Sequence, residues 1–260
     1  MSIQNELPWE PWTFDLKVAA NKVFGVAGQT IYAINPDIDT ITEDVWEEGG
    51  VLSFLASAEK MDIVSSSSDD DGNPLGDGAR TITIFGLDDN YQSLKEEVVM
   101  NGITEVATQS SFIRINRMVV SSVGNAGVNA GTITATASTA GTPQAKISAS
   151  LGSTLKSQCT VPAGYTGFIK NLTLGTENND RALVTLQTRT EGGAWITRFR
   201  LNINDASFYQ PFNFPIQAPS KSDIRVQAVK LSGSGTVSIT SNYDMYFVIN
   251  KYVTLENFLS

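Results

Sequence analysis

Histidine is missing from all 260 residues, and cysteine occurs once, at Cys159. The first absence removes the side chain that most often serves as a general base near neutral pH and most often ligates transition metals. It excludes Ser-His-Asp and Cys-His nucleophile systems. The second excludes an intrachain disulfide and a cysteine metal cluster. Cys159 stands beside Thr160 and Val161 ahead of a Pro-Ala-Gly turn, the setting of a buried structural thiol. Carboxylate-only chemistry, as in glycosidases, needs a matched acid pair, and no Asp or Glu pair is marked out by its spacing. The expectation is a protein that is not an enzyme, with no catalytic residue, no metal and no cofactor.

Long apolar runs are lacking too. No stretch approaches the roughly 20 apolar residues that span a bilayer. The opening MSIQNELPWEPW has neither the positive nor the apolar segment of a signal peptide. Synthesis and folding in a cytoplasm, away from membrane, follow as expectations. Basic charge is also short: 18 Lys and Arg stand against 27 Asp and Glu, a net of −9, so nucleic acid is a poor main partner. The deficit is uneven along the chain. Residues 1–110 hold 20 acids against 5 bases, and residues 111–260 hold 7 against 13. An acidic half and a basic half predict head-to-tail contact between neighbouring copies, as in a ring or trimer.

What the chain does contain is β pattern. Residues 61–65, 81–85, 94–100, 103–108, 112–120, 132–136 and 145–148 read as strands. So do residues 155–161, 167–174, 182–189, 195–201, 224–231 and 236–249. Gly, Pro, Asn and Asp separate them at intervals near ten residues, the spacing of a β-sandwich or jelly roll. Asn101-Gly102 predicts a tight hairpin joining residues 94–100 to 103–108. Helical period is confined to possible single turns near residues 52–58 and 254–259. Residues 94–103 and 155–164 echo one another, each running from Leu-Lys through a strand into a turn, which suggests two related modules or chance. The fold class expected is all-β, with a first module at residues 51–140 and a second sandwich at residues 141–260.

Residues 1–50 differ in style and read as an extended N-terminal arm. They carry Trp9, Trp12 and Trp46 with Phe14 and Phe24, and the run Leu7-Pro8-Trp9-Glu10-Pro11-Trp12 sets prolines between aromatics. A short strand is expected at residues 29–34, and Gly49-Gly50 closes the segment. Trp9, Trp12, Phe14 and Trp46 are the candidate partner-contact residues. Their rings either fold back on the chain or dock on a neighbouring subunit, and the neighbour is favoured.

Three further features have both a plain and a pointed reading. The loop at residues 69–77 has Asp69, Asp71 and Asn73 at calcium-ligand spacing, yet Arg80 stands where a bidentate Glu is required, which favours a solvated turn. Trp195 suits a strand core better than a sugar-stacking platform. Arg198 and Arg200 read as the solvent face of their strand, joined by Arg189 if the strands pair, with an interface role as the sharper alternative.

Several runs resemble a family of virion structural proteins from tailed marine phages. The most specific is Gly78-Ala-Arg-Thr-Ile-Thr-Ile-Phe-Gly-Leu-Asp-Asp-Asn-Tyr91, preceded by Ile63-Val-Ser-Ser-Ser-Ser68 and an acidic turn. The similarity continues through Glu96-Glu-Val-Val-Met-Asn-Gly-Ile-Thr104, Phe112-Ile-Arg-Ile-Asn-Arg117, Thr160-Val-Pro-Ala-Gly-Tyr165 and Pro219-Ser-Lys-Ser-Asp-Ile-Arg225. It covers roughly residues 60–230 and is weaker over residues 1–50. The resemblance implies a particle component built of β-sandwich modules, located in the virion, and supplies no catalytic residues. The function expected is that of a structural subunit of the capsid surface, neck or tail, partnered by other virion proteins and by its own copies. The alternative is a carbohydrate-binding module of a tail fibre, using loops at one end of a sandwich.

Overall fold

The computed structural model describes residues 13–176, 181–204, 207–232 and 235–253. The described chain opens on a short helix, α1 (Phe14–Ala19), capped by the Thr13 hydroxyl. Strands follow as β1 (Val26–Ile38), β2 (Glu43–Asp44), β3 (Met61–Ser65), β4 (Ala79–Leu87), β5 (Ser93–Val99), β6 (Val106–Ala107), β7 (Arg114–Val123) and β8 (Ile133–Ala137). Then come β9 (Pro143–Ile147), β10 (Cys159–Thr160), β11 (Tyr165–Thr176), β12 (Arg181–Arg189), β13 (Ile196–Asn204), β14 (Phe208–Ala218), β15 (Asp223–Lys230) and β16 (Val237–Ile249). A 3-10 turn closes it at Asn250–Tyr252. All strand pairs are antiparallel. The all-β expectation is met.

The strands form two sandwiches, one inserted into the other. The inserted module pairs β6-β3-β8-β9 with β5-β4-β7. Ile63, Ile82, Ile84, Met118, Ile133 and Ile147 meet between these sheets. The split module has one sheet in the order β1-β16-β11-β14 and another in the order β10-β15-β12-β13, with β2 also on β15. Its core joins Ile31, Ile38, Ile169, Val184, Ile224 and Tyr243. Strand alternation explains the sorting: in β16 Val237, Ile239, Tyr243, Met245 and Phe247 all face inward at period two.

The arm at residues 1–50 and the boundary at residue 140 are corrected by this topology. β1 runs the length of β16, from Val26 opposite Val248 to Ile38 opposite Val237. β2 extends the other sheet of the same sandwich. The split module is therefore completed by residues far upstream, and β9, expected in the second module, belongs to the inserted one. Trp46 follows β2 into the interior and is 3% exposed, with Nε1–H donating to the Gly50 carbonyl at 3.3 Å. It is a core side chain of its own subunit, not a partner contact. Trp9 and Trp12 lie outside the described residues.

The hairpin at Asn101-Gly102 is a second correction. Gly102 does take the left-handed conformation, at φ 56°. Yet β5 pairs with β4, while β6 pairs with β3 in the facing sheet. The turn thus carries the chain across the core, held where Gly102 N–H donates to the Asp70 carbonyl and its own carbonyl accepts from Ser65. Residues 52–58 form no helical turn, and residues 254–259 lie outside the described segments. The echo between residues 94–103 and 155–164 has no structural counterpart, since the second run contributes only the two-residue β10. β14 has no counterpart among the expected strands, because Pro211 and Pro215 interrupt its pattern. Prolines are tolerated there because β14 is a sheet edge.

Folding also dissolves the charge division. Residues 51–155, essentially the inserted module, carry 11 acids against 6 bases, and the rest of the chain carries 16 against 12. The acidic N-terminal stretch pairs within its own subunit: Asp15 with Lys170 at 2.7 Å and Glu48 with Lys146 at 3.2 Å. Part of the charge complementarity between the two halves is thus met within one subunit.

Candidate interaction surfaces

Four of the runs singled out in the sequence, at residues 78–91, 112–117, 160–165 and 219–225, converge where the two modules meet. Asp223, at the start of β15, is the hub. Arg114 of β7 crosses from the inserted module and grips it with two donors, Nε at 2.9 Å and Nη2 at 3.1 Å. Arg189, at the end of β12, adds Nε at 2.9 Å, and the Thr160 hydroxyl donates at 2.6 Å. Arg114 spends its two Nη1–H donors on the carbonyls of Leu55 and Ile113, both at 2.8 Å. The Arg114 and Asp223 side chains are nearly solvent-free. A buried pair so fully hydrogen-bonded fixes the geometry more than it adds stability.

Local backbone devices deliver these groups. In β7 the register jumps from Arg117, opposite Phe85, to Ile115, opposite Gly86. Asn116 is the bulged residue, so Ile115 and Met118 both face the core while Asn116 is free to cross the seam. Its side chain donates to the Thr160 carbonyl at 3.0 Å and accepts from Thr160 N–H at 2.9 Å. Gly86 makes the bulge feasible, because a Cβ there would strike the Arg114 carbonyl and the Phe112 ring. Tyr91 and Lys221 each hold a left-handed backbone, at φ 61° and 63°. The two meet across the seam, Lys221 Nζ lying 5.1 Å from the Tyr91 ring centroid. Strain at bulky residues persists where the surroundings over-determine it.

Aromatic rings fill the gaps between the guanidinium groups. Phe54 lies 4.9 Å from the Arg114 guanidinium and 4.6 Å from that of Arg189. Trp195 is covered by Arg225 at 3.9 Å and Arg189 at 4.5 Å. The indole expected in a core thus forms a cation–π stack at the seam, which leaves little of its face for a sugar. Arg189 is a seam residue, whereas Arg200 is exposed and Arg198 hydrogen-bonds to Thr188 at 2.8 Å.

Two buried titratable groups lie beneath this layer. Burial pushes the Lys156 ammonium down to about 8, while its Nζ donates to the carbonyls of Ile115 and Gln144 at 2.9 and 2.8 Å. Burial pushes the Cys159 thiol up to about 12, which fits an inert structural thiol. The acidic loop is likewise absorbed by the fold. Asp70 is fully buried and accepts from Ala79 N–H, Ala130 N–H, Gly131 N–H and the Ser65 hydroxyl at 2.6–2.8 Å. Asp71 accepts from Asn73 N–H at 2.7 Å. The Asp70 carboxylate therefore organises the turn with all its lone pairs engaged.

Outward surfaces are marked by exposed aromatics. Phe14 lies on α1, half exposed, with its ring edge-on to Tyr246 at 5.3 Å. Phe24, just before β1, is 81% exposed, and Phe214 in β14 is 91% exposed. β1 and β14 are the two edges of one sheet. At the β14 edge the register leaves residues 212–215 opposite Lys170 alone, so this stretch bulges and holds the Phe214 ring outward. Composition can suggest aromatic surface, but Phe24 and Phe214 carry no periodic signal that sets them apart from core phenylalanines.

No family model and no curated protein matches the chain. Solved structures of infectious bursal disease virus align with it at low similarity. The Gx strain structure gives a TM-score of 0.27 at 10% identity, covering 88% of this chain and 73% of that one. The Gt strain gives 0.28 at 12% identity with the same coverage, and a VP2 subviral particle gives 0.24 at 8% identity, again with the same coverage. At such scores the chain paths diverge, and the likeness fixes neither fold nor role.

Proposed function

We propose that this chain is a non-enzymatic structural component of a virion, of the tailed-phage kind, that works by assembling with other particle proteins and with its own copies. The observation that carries this reading is the pair of outward aromatics, Phe24 and Phe214, at opposite edges of one sheet in a body whose two modules are pinned by buried charge. Large exposed rings at sheet edges are the groups whose burial contributes most when a partner docks. Their placement on two sides suits a subunit with neighbours on both sides. Repeated weak contacts then add through avidity. The resemblance over residues 60–230 supports the same role, on the capsid surface or in the neck or tail. Synthesis would be in the host cytoplasm, with a homo-oligomer, such as a trimer, as the assembled form.

The test is direct. Particles purified from cells that make this protein are expected to contain it at stoichiometric levels by mass spectrometry, with antibody labelling by electron microscopy showing its position. Particles lacking the chain would overturn the proposal. The carbohydrate-binding alternative has one observation in its favour, a polar trough on the outer face of the β12 sheet lined by Thr42, Thr185, Gln187, Thr197 and Arg200. Binding on a glycan array would establish it.

A further inference from the structure

A cleft of about 640 Å3 opens between the two modules, within the range of ligand-binding clefts, roughly 300–1,000 Å3. Leu87, Leu94, Pro162, Tyr165 and Phe247 give it apolar walls, and no carboxylate among the described residues lines it. Lys95, Phe85 and Arg117 stand side by side across β5, β4 and β7, so two exposed cations flank an exposed ring. Neither Lys95 nor Arg117 has an ion-pair partner among the described residues. An apolar cleft with two unpaired cations calls for an apolar side chain set among carboxylates.

The loop at residues 69–77 answers that description at the far end of the same sheet. Gly72 and Leu75 pair across a tight turn, and Leu75 is 69% exposed. Asp69 and Asp77 are exposed and Asp71 is half-buried, and none of the three has an ion-pair partner among the described residues. Arg80, the nearest cation in sequence, is spent on the Gly76 carbonyl, to which Nε donates at 2.9 Å. The loop is set in advance. Buried Asp70 anchors its base, Gly76 N–H donates to the Asp71 carbonyl at 2.8 Å, and Asn73 N–H donates to the Asp71 carboxylate at 2.7 Å. A preformed loop loses little entropy on docking.

Its own cleft is out of reach. Gly72 N–H donates to the Met100 carbonyl beyond the end of β5, and Gly124 N–H, beyond the end of β7, donates to the Gly78 carbonyl. Lys95 and Arg117 lie toward the opposite ends of those strands. Along β4 the way from Ala79 to Phe85 is about 20 Å at roughly 3.3 Å per residue, which the anchored loop cannot cross. We propose that the acidic loop of one copy docks in the inter-module cleft of the next, Leu75 against the apolar walls and Asp69 and Asp77 at Lys95 and Arg117. Such a contact is head-to-tail, and its repetition closes a ring or extends a row of copies. This rests on the assembly reading and names its contact.

The test uses full-length chains and charge reversal. Self-association is measured by sedimentation velocity over a concentration series for the wild type, K95E/R117E, D69K/D77K, the combined fourfold variant and L75S. Each double variant is expected to weaken association at least about tenfold, and the fourfold variant to restore it to near the wild-type value. L75S, a change at an exposed side chain, is expected to weaken association with the fold intact. A far-UV spectrum like that of the wild type certifies each fold. If K95E/R117E loses that spectrum, K95Q/R117Q takes its place with the same expected weakening. A wild type that stays monomeric, a double variant or L75S that associates normally, or a fourfold variant no better than the doubles overturns the docking. Finding the wild-type chain in purified particles without charge-swap rescue would refute this contact and leave the virion role standing. Rescue without the chain in particles would do the reverse.

Discussion

Asp223 is held by two arginines and a threonine, so its removal leaves two cations facing each other in a nearly dry seam. Asp223→Ala is expected to cost about 3–5 kcal/mol in urea unfolding, as breaking one side of a buried ion pair does. Calorimetry should show the single wild-type transition give way to two as the modules uncouple. An unchanged midpoint would mean that the seam is wetter than its geometry indicates. Lys156 gives a second prediction, through pH. Its folded value of about 8 lies below the ordinary 10.5. Between these two values the unfolded chain keeps a proton the folded chain has released, so the contribution to stability rises with pH across the window. Below pH 8 the burial penalty is present in full, on the order of 3 kcal/mol for a shift of this size. Cys159 acts in the opposite sense above about 9 and is coupled to the Lys156 charge, so wild type and Lys156→Met are both compared in a Cys159→Ala background. Stability of the wild type minus that of Lys156→Met should therefore climb from pH 8 to 10.5. A flat difference curve would refute the account.

At the scale of elements, β1, read as a short strand of an arm, and β14, not read as a strand at all, each lead to an experiment. β1 with the segment after it supplies Ile31, Ala33, Ile38, Val45 and Trp46 to buried sites. Burial of each large side chain contributes roughly 1.5–3 kcal/mol. Deleting residues 1–50 is thus expected to unfold the split module, with loss of its near-UV signal, where removal of a mere arm would leave it folded. β14 behaves in the opposite way. Phe214 is almost wholly exposed on its bulge, so Phe214→Ser should shift stability by no more than about 0.5 kcal/mol. The same change is expected to lower incorporation into particles severalfold, read by quantitative mass spectrometry. Normal incorporation would remove Phe214 from the assembly surface.

For the whole molecule, the sequence by itself determined the all-β class, most strand positions and the absence of histidine and disulfide chemistry. These are local properties: period-two alternation and turn residues act between near neighbours, and composition needs no structure. The runs around residues 78–91, 112–117, 160–165 and 219–225 were visible too, but only as separate stretches. Tertiary structure alone decided that they meet, because Arg114 and Asp223 are 109 residues apart and pair through sheet order, not sequence distance. It also decided that β1 closes a sandwich with β16 and that Trp46 is core. A strand's partner depends on which edge remains open after the rest has folded, and nothing within its own residues records that. The charge division is limited in the same way. Net charge along a chain predicts an external partner only if the two halves stay apart, and here the acidic N-terminal strands are built into the basic C-terminal sandwich.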